Sequence, residues 1–104
     1  MIAPTDRELL ELAAKAAGLR LWSRGAWRGT EHATGLLLAS GRYLWNPLTD
    51  DGDALRLLVD LQLDIEFVNG DALVLNVAEG GPDRFTATRR AIVRAAAAIG
   101  EAMP

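Results

Sequence analysis

The sequence predicts a small α+β domain, a mostly antiparallel sheet covered by helices, in the order α-β-β-β-α-β-β-α. Three observations carry this. Three stretches repeat their apolar residues at helical spacing. Between them lie short apolar runs bounded by glycine, proline or asparagine. The strand-like runs also come in adjacent groups, which favours antiparallel pairing over alternating βαβ units.

The first helix spans about residues 5–17. Thr5 followed by Glu8 forms a capping box, in which the threonine oxygen takes a free N–H and the glutamate reaches back. Leu9, Leu12, Ala13 and Ala16 fall on one face, and Gly18 follows where a left-handed residue ends a helix. Arg20 to Ser23 reads as a short strand. Residues 24–35, with Gly25, Gly29 and Gly35, read as a loop. Leu36–Ala39 and Arg42–Trp45 read as strands around a Ser40-Gly41 turn, and Asn46-Pro47 ends the second.

A second helix begins at Asp50 or Asp51 and ends near Gln62. Ala54, Leu57, Leu58 and Leu61 form its buried face. Ile65–Val68 and Ala72–Val77 flank Asn69-Gly70-Asp71 as a hairpin. A two-residue turn would pair Phe67 with Ala72 and Glu66 with Leu73. A loop one residue longer pairs Phe67 with Leu73 and Ile65 with Leu75, gathering large apolar groups on one face, and this longer loop is the expected register. After Gly80-Gly81-Pro82 a last helix starts between Asp83 and Thr86. Its apolar stripe is Ile92, Ala95, Ala96, Ile99 and Met103, with Arg90, Arg94 and Glu101 opposite. Ala95 to Ala98 and Gly100 leave part of this helix thin enough for close approach.

The chain has 104 residues, half of them hydrophobic, so residues 1–104 are read as one domain able to bury a core. It has no cysteine, which excludes disulfides and thiolate metal sites and fits a reducing, cytoplasmic location. No apolar run approaches the roughly 20 residues that cross a bilayer, so no membrane association is expected. The net charge of −3 argues against nucleic acid as a bulk partner. The charge is segregated: residues 45–79 carry −7, and the segments on either side carry +2 each.

The residues Trp45-Asn46-Pro47-Leu48-Thr49-Asp50-Asp51-Gly52-Asp53-Ala54-Leu55-Arg56-Leu57 resemble the central motif of small phage and prophage proteins, the NinX-like group. Glu8–Gly18 and Thr88–Ala95 resemble the two ends of those proteins. The resemblance implies a phage or prophage accessory protein, cytoplasmic in a bacterial host. It implies no reaction, and it carries over no catalytic residues.

Three constellations bear chemistry. Asp50, Asp51 and Asp53 crowd the start of the second helix. Clustered carboxylates can hold Mg²⁺ or Ca²⁺, but the spacing is not that of a calcium loop, and capping the helix explains it better. Trp22, Arg24, Trp27 and Arg28 interleave aromatic and basic groups. With Trp45 and Asn46 they could wall a small-molecule or nucleotide pocket. Trp45 and Asn46 read better as an anchor and a turn lock. His32 is the single histidine and shows no nucleophile or orienting partner beside it. Arg89, Arg90 and Arg94 read as a solvated helix face. No phosphate loop, dinucleotide fingerprint or nucleophile elbow is present.

The reading is therefore of a binding protein without catalytic residues or cofactor, whose partner is another protein or a second copy of itself. The alternatives are a Trp/Arg-lined ligand pocket and a metal-assisted hydrolase using Asp50, Asp51 and Asp53.

Overall fold

Each helix begins where the sequence places a cap. The computed structural model describes residues 4–22, 27–29, 34–39, 43–75, 77–81 and 83–104. Helix α1 runs Asp6–Ala17, with the Thr5 hydroxyl accepting the Glu8 N–H at 3.1 Å and the Glu8 carboxylate reaching back to the Thr5 N–H. Helix α2 runs Asp51–Asp60, and the Asp50 carboxylate accepts the Asp53 N–H at 2.8 Å. Helix α3 runs Arg84–Ala102, capped by Asp83, which accepts the Thr86 N–H at 2.8 Å. The caps satisfy donors that have no partner inside the helix.

The strands form two antiparallel three-stranded sheets. The first joins β1 (Trp27–Gly29), β2 (Thr34–Leu37) and β3 (Leu44–Trp45), pairing Trp27 with Leu36 and Leu36 with Trp45. The second joins β4 (Ile65–Val68), β5 (Asp71–Val74) and β6 (Val77–Glu79). The α+β class and the expected order hold, with one further strand. The chain turns after Val74, where Leu75 takes φ 48°, so the run expected through Val77 is split into β5 and β6.

Two local expectations shift. Arg20–Ser23 contributes a single bridge, Leu21 to Leu38, while β1 forms inside the stretch read as a loop. Gly29 and Gly35 had signalled loop there, yet both lie in paired strands; glycine carries no side-chain alternation from which a strand could be read.

The hairpin register is the other correction. Ile65 pairs with Val74, Glu66 with Leu73, Phe67 with Ala72 and Val68 with Asp71, which is the two-residue turn. Asn69 and Gly70 take φ 51° and 87°. Both central residues are left-handed, as in the turn whose twist matches that of the flanking strands. Cross-strand partners share a face, so this register also puts Ile65, Phe67, Ala72 and Val74 together. Within β4 and β5 that face is apolar, with Ala72 and Val74 buried, and β6 adds Glu79 to it opposite Ala72.

Helix α3 is the hub, packing along α1 and against α2, β5 and β6. Its expected stripe is used: Ile92, Ala95 and Ala96 are buried, and Ile99 is half-buried. Met103 lies past the helix end and is exposed. The thin part of α3 receives α1. A side chain at Gly100 would fall on the backbone carbonyl of Leu12. The core continues through Leu9, Leu10 and Ala13 of α1, Leu36, Trp45, Ala54, Leu57 and Val74. No helix among the described residues is long and apolar enough to cross a membrane.

Candidate functional site

The motif from Trp45 to Asp53 builds a closed polar network. Asn46 ends β3, and its side-chain oxygen accepts the Leu48 N–H at 3.0 Å, fixing the turn through Pro47. Its amide nitrogen donates to the Thr34 carbonyl at 2.7 Å. Its backbone N–H donates to Oδ2 of Asp53 at 2.9 Å. Asp53 is 1% exposed. Its other oxygen accepts from the Tyr43 hydroxyl and from Arg56, the latter at 2.9 Å. The Tyr43 phenol is raised above its ordinary pKa of 10.0 by this hydrogen bond to Asp53 and by burial. The Arg56 guanidinium is likewise raised, chiefly through Asp53. Among the described residues, no buried side-chain polar atom lacks a partner.

The three aspartates therefore have separate structural roles. Asp50 caps α2. Asp51 pairs with Arg89 at 2.6 Å. Asp53 is the buried acceptor of the network. Among the described residues, no three His, Cys, Asp or Glu side chains gather as a metal would require.

The aromatic and basic residues are distributed rather than gathered. Trp45 is buried in the core, and Trp22 is exposed. The backbone of Trp27 and Arg28 lies in β1, whose register sets Trp27 and Trp45 on either side of Leu36. Arg24 and His32 lie outside the described residues. A hollow of about 220 Å³ adjoins Trp45, bounded also by Leu19, Leu38, Tyr43, Arg56 and Asp60. Trp22 is not part of its wall. Both polar ends of the Asn46 side chain are already bonded within the protein. Of the arginines on α3, Arg90 lies 3.5 Å from Asp6, and Arg94 pairs with Glu79.

A larger cleft lies elsewhere, between α2, β4 and the first turns of α3. It encloses about 740 Å³. Ala54 and Leu58 of α2, Ile65 of β4 and Ile92 of α3 line it with the aliphatic part of the wall. Leu55, Phe67 and Phe85 also line it, yet they are 59%, 62% and 68% exposed. Large apolar side chains are seldom left in water together around one concavity. The cleft is braced at one end by Arg89, which donates to the Leu48 carbonyl at 2.8 Å while holding Asp51. That links the start of α2 to α3 and fixes the spacing of the two walls.

The remaining polar groups of the cleft offer little chemistry. The Thr88 hydroxyl donates to the Arg84 carbonyl at 2.6 Å, and Asp51 is held by Arg89.

Sequence reasoning passed over this cleft. The signal was present: the chain has two phenylalanines, and the stripe of α3 continues back from Ile92 to Phe85, seven residues earlier. In the fold that extension runs past the elements that cover the rest of the stripe.

Compared with known proteins, the chain matches no family model, no curated protein and no solved structure.

Proposed function

We propose that this protein acts by binding another polypeptide, and that the cleft between α2, β4 and α3 is its docking surface. One observation carries the reading: Leu55, Phe67 and Phe85 stand about two-thirds exposed around a single apolar concavity. Burying such side chains against a partner is favourable by about 1.5–3 kcal/mol each, and aromatic anchors seated in pockets dominate interface energetics. A phage or prophage accessory setting rests on the resemblance of Trp45–Leu57 to the NinX-like group and on nothing further.

The test replaces Phe85 with the photo-crosslinking residue p-benzoylphenylalanine in cells that make the protein. Glu101, exposed at the far end of α3, serves as the control position. Discrete protein adducts from position 85 and none from position 101 are expected. Equal labelling from both positions, or none from 85, overturns the reading.

A further inference from the structure

One wall of the cleft is an open strand edge. β4 is the outermost strand of its sheet, and among the described residues no strand pairs with its other side. Val68 and Asp71 flank a two-residue turn, so their backbone groups bond to each other. Bonded and unbonded pairs alternate along an antiparallel ladder, so the N–H and C=O of Ile65 and Phe67 point away from β5. Among the described residues, no backbone bond from another element reaches them. The sheet and α2 both pack on α3, and the gap left between β4 and α2 is the cleft itself.

Charge describes the occupant further. Three charged side chains line the cleft: Asp51, Arg84 and Arg89. Asp51 and Arg89 neutralise each other. Arg84 is exposed, and it pairs with no carboxylate among the described residues. Glu66, the one acid of β4, alternates with Ile65 and Phe67 and so lies on the face of the strand away from the cleft. The concavity therefore presents apolar walls, a free hydrogen-bonding edge and one unmatched positive charge.

We propose that an extended, acidic segment of a partner protein adds to the edge of β4 as a fourth strand; this rests on the reading of the cleft as a docking surface. A free edge of alternating donors and acceptors is matched by another extended backbone, and pockets for alternate side chains set which one. The added strand bonds to Ile65 and Phe67. Its alternate side chains are apolar and enter between Leu55, Phe67 and Phe85, and a carboxylate on it meets Arg84.

A displayed library of random peptides, selected on the whole chain, tests the proposal. Enriched peptides are expected to alternate apolar and polar residues and to carry Asp or Glu. Hydrogen exchange read by NMR then locates the backbone contact. A bound peptide should slow the Ile65 and Phe67 amides by about tenfold or more, and far more than Glu66 and Val68, which β5 already protects. N-methylation at alternate peptide positions should weaken binding by about tenfold, and at the positions between them little. Arg84→Gln should weaken it by about fivefold and Phe85→Ser by about tenfold. Both side chains are exposed, and circular dichroism checks that the variants keep the fold. Peptides with helical spacing, basic peptides, binding indifferent to both variants, or unprotected Ile65 and Phe67 amides overturn strand addition. So does protection that appears without peptide as protein concentration rises, which would make a second copy the occupant. If no peptide is enriched, or those enriched fail these tests, while position 85 still crosslinks to a protein, strand addition fails and the docking surface stands. If position 85 crosslinks to nothing, both fail.

Discussion

Oδ2 of Asp53 accepts the backbone N–H of Asn46 at 2.9 Å, across seven residues of chain and beneath the protein surface. The bond ties the end of β3 to the first turn of α2. With Tyr43 and Arg56 on its other oxygen, Asp53 is a buried carboxylate with three donors. The same aspartate that sequence reasoning offers as a metal ligand is thus the anchor of the turn.

Asp53→Ala should lower unfolding stability by about 2–3 kcal/mol, because it leaves the buried Asn46 N–H without an acceptor and frees the turn from α2. Asp50→Ala, which removes only a cap, should cost about 1 kcal/mol. Urea denaturation of the two variants measures the difference. Equal losses would mean that Asp53 does not anchor the turn.

Tyr43 is the single tyrosine, so its ionisation can be followed directly by tyrosinate absorbance. Its pKa is raised in the fold by the bond to Asp53. The phenol therefore contributes stability that is complete below its unfolded value near 10 and is lost as pH rises through the higher folded value. The folded protein should titrate above the urea-unfolded chain, and Asp53→Asn should bring the two together. A folded midpoint at or below the unfolded one would refute the assignment.

Asp83 works in the opposite direction. The Thr86 backbone N–H, then the Thr86 hydroxyl, hold its carboxyl below the usual value of 3.8. Its contribution to α3 is present above that value and is lost as pH falls through the lower folded pKa. Urea midpoints taken from neutral to strongly acid pH should show this loss in the wild type. Asp83→Asn keeps a capping oxygen but cannot titrate, so it should have a shallower acid dependence.

Gly100→Ala reverses the usual rule. At an unobstructed helical position the change adds about 1 kcal/mol of stability. Here the new methyl group would meet the Leu12 carbonyl of α1, and forcing the helices apart should cost about 1–3 kcal/mol. Thermal melting checks the sign. A raised Tm would show that α1 does not approach α3 this closely.

Sequence reasoning read best where the signal was local. The Thr5–Glu8 box, the Asp50 cap and the Asp83 start of α3 each depend on residues within one turn of one another. It misread the hairpin by weighing which large side chains should gather. The left-handed preference of Asn69-Gly70 selected the shorter turn, which still sets Ile65, Phe67, Ala72 and Val74 on one face. The alanine-rich part of α3 was correctly read as open to close approach. That approach is made by α1, so the segment offers no docking surface to a partner.

By itself, then, the sequence determined the α+β class, the starts of the three helices and a capping role within the Asp50, Asp51 and Asp53 group, because capping and periodicity act between near neighbours. Only the tertiary structure decided that Asp53 would be buried under Asn46, that the strands would divide into two sheets, and that Phe67 and Phe85 would be left at the walls of a cleft. Burial is set by which elements meet across the chain. A stripe of apolar residues reads the same whether or not a neighbour arrives to cover it.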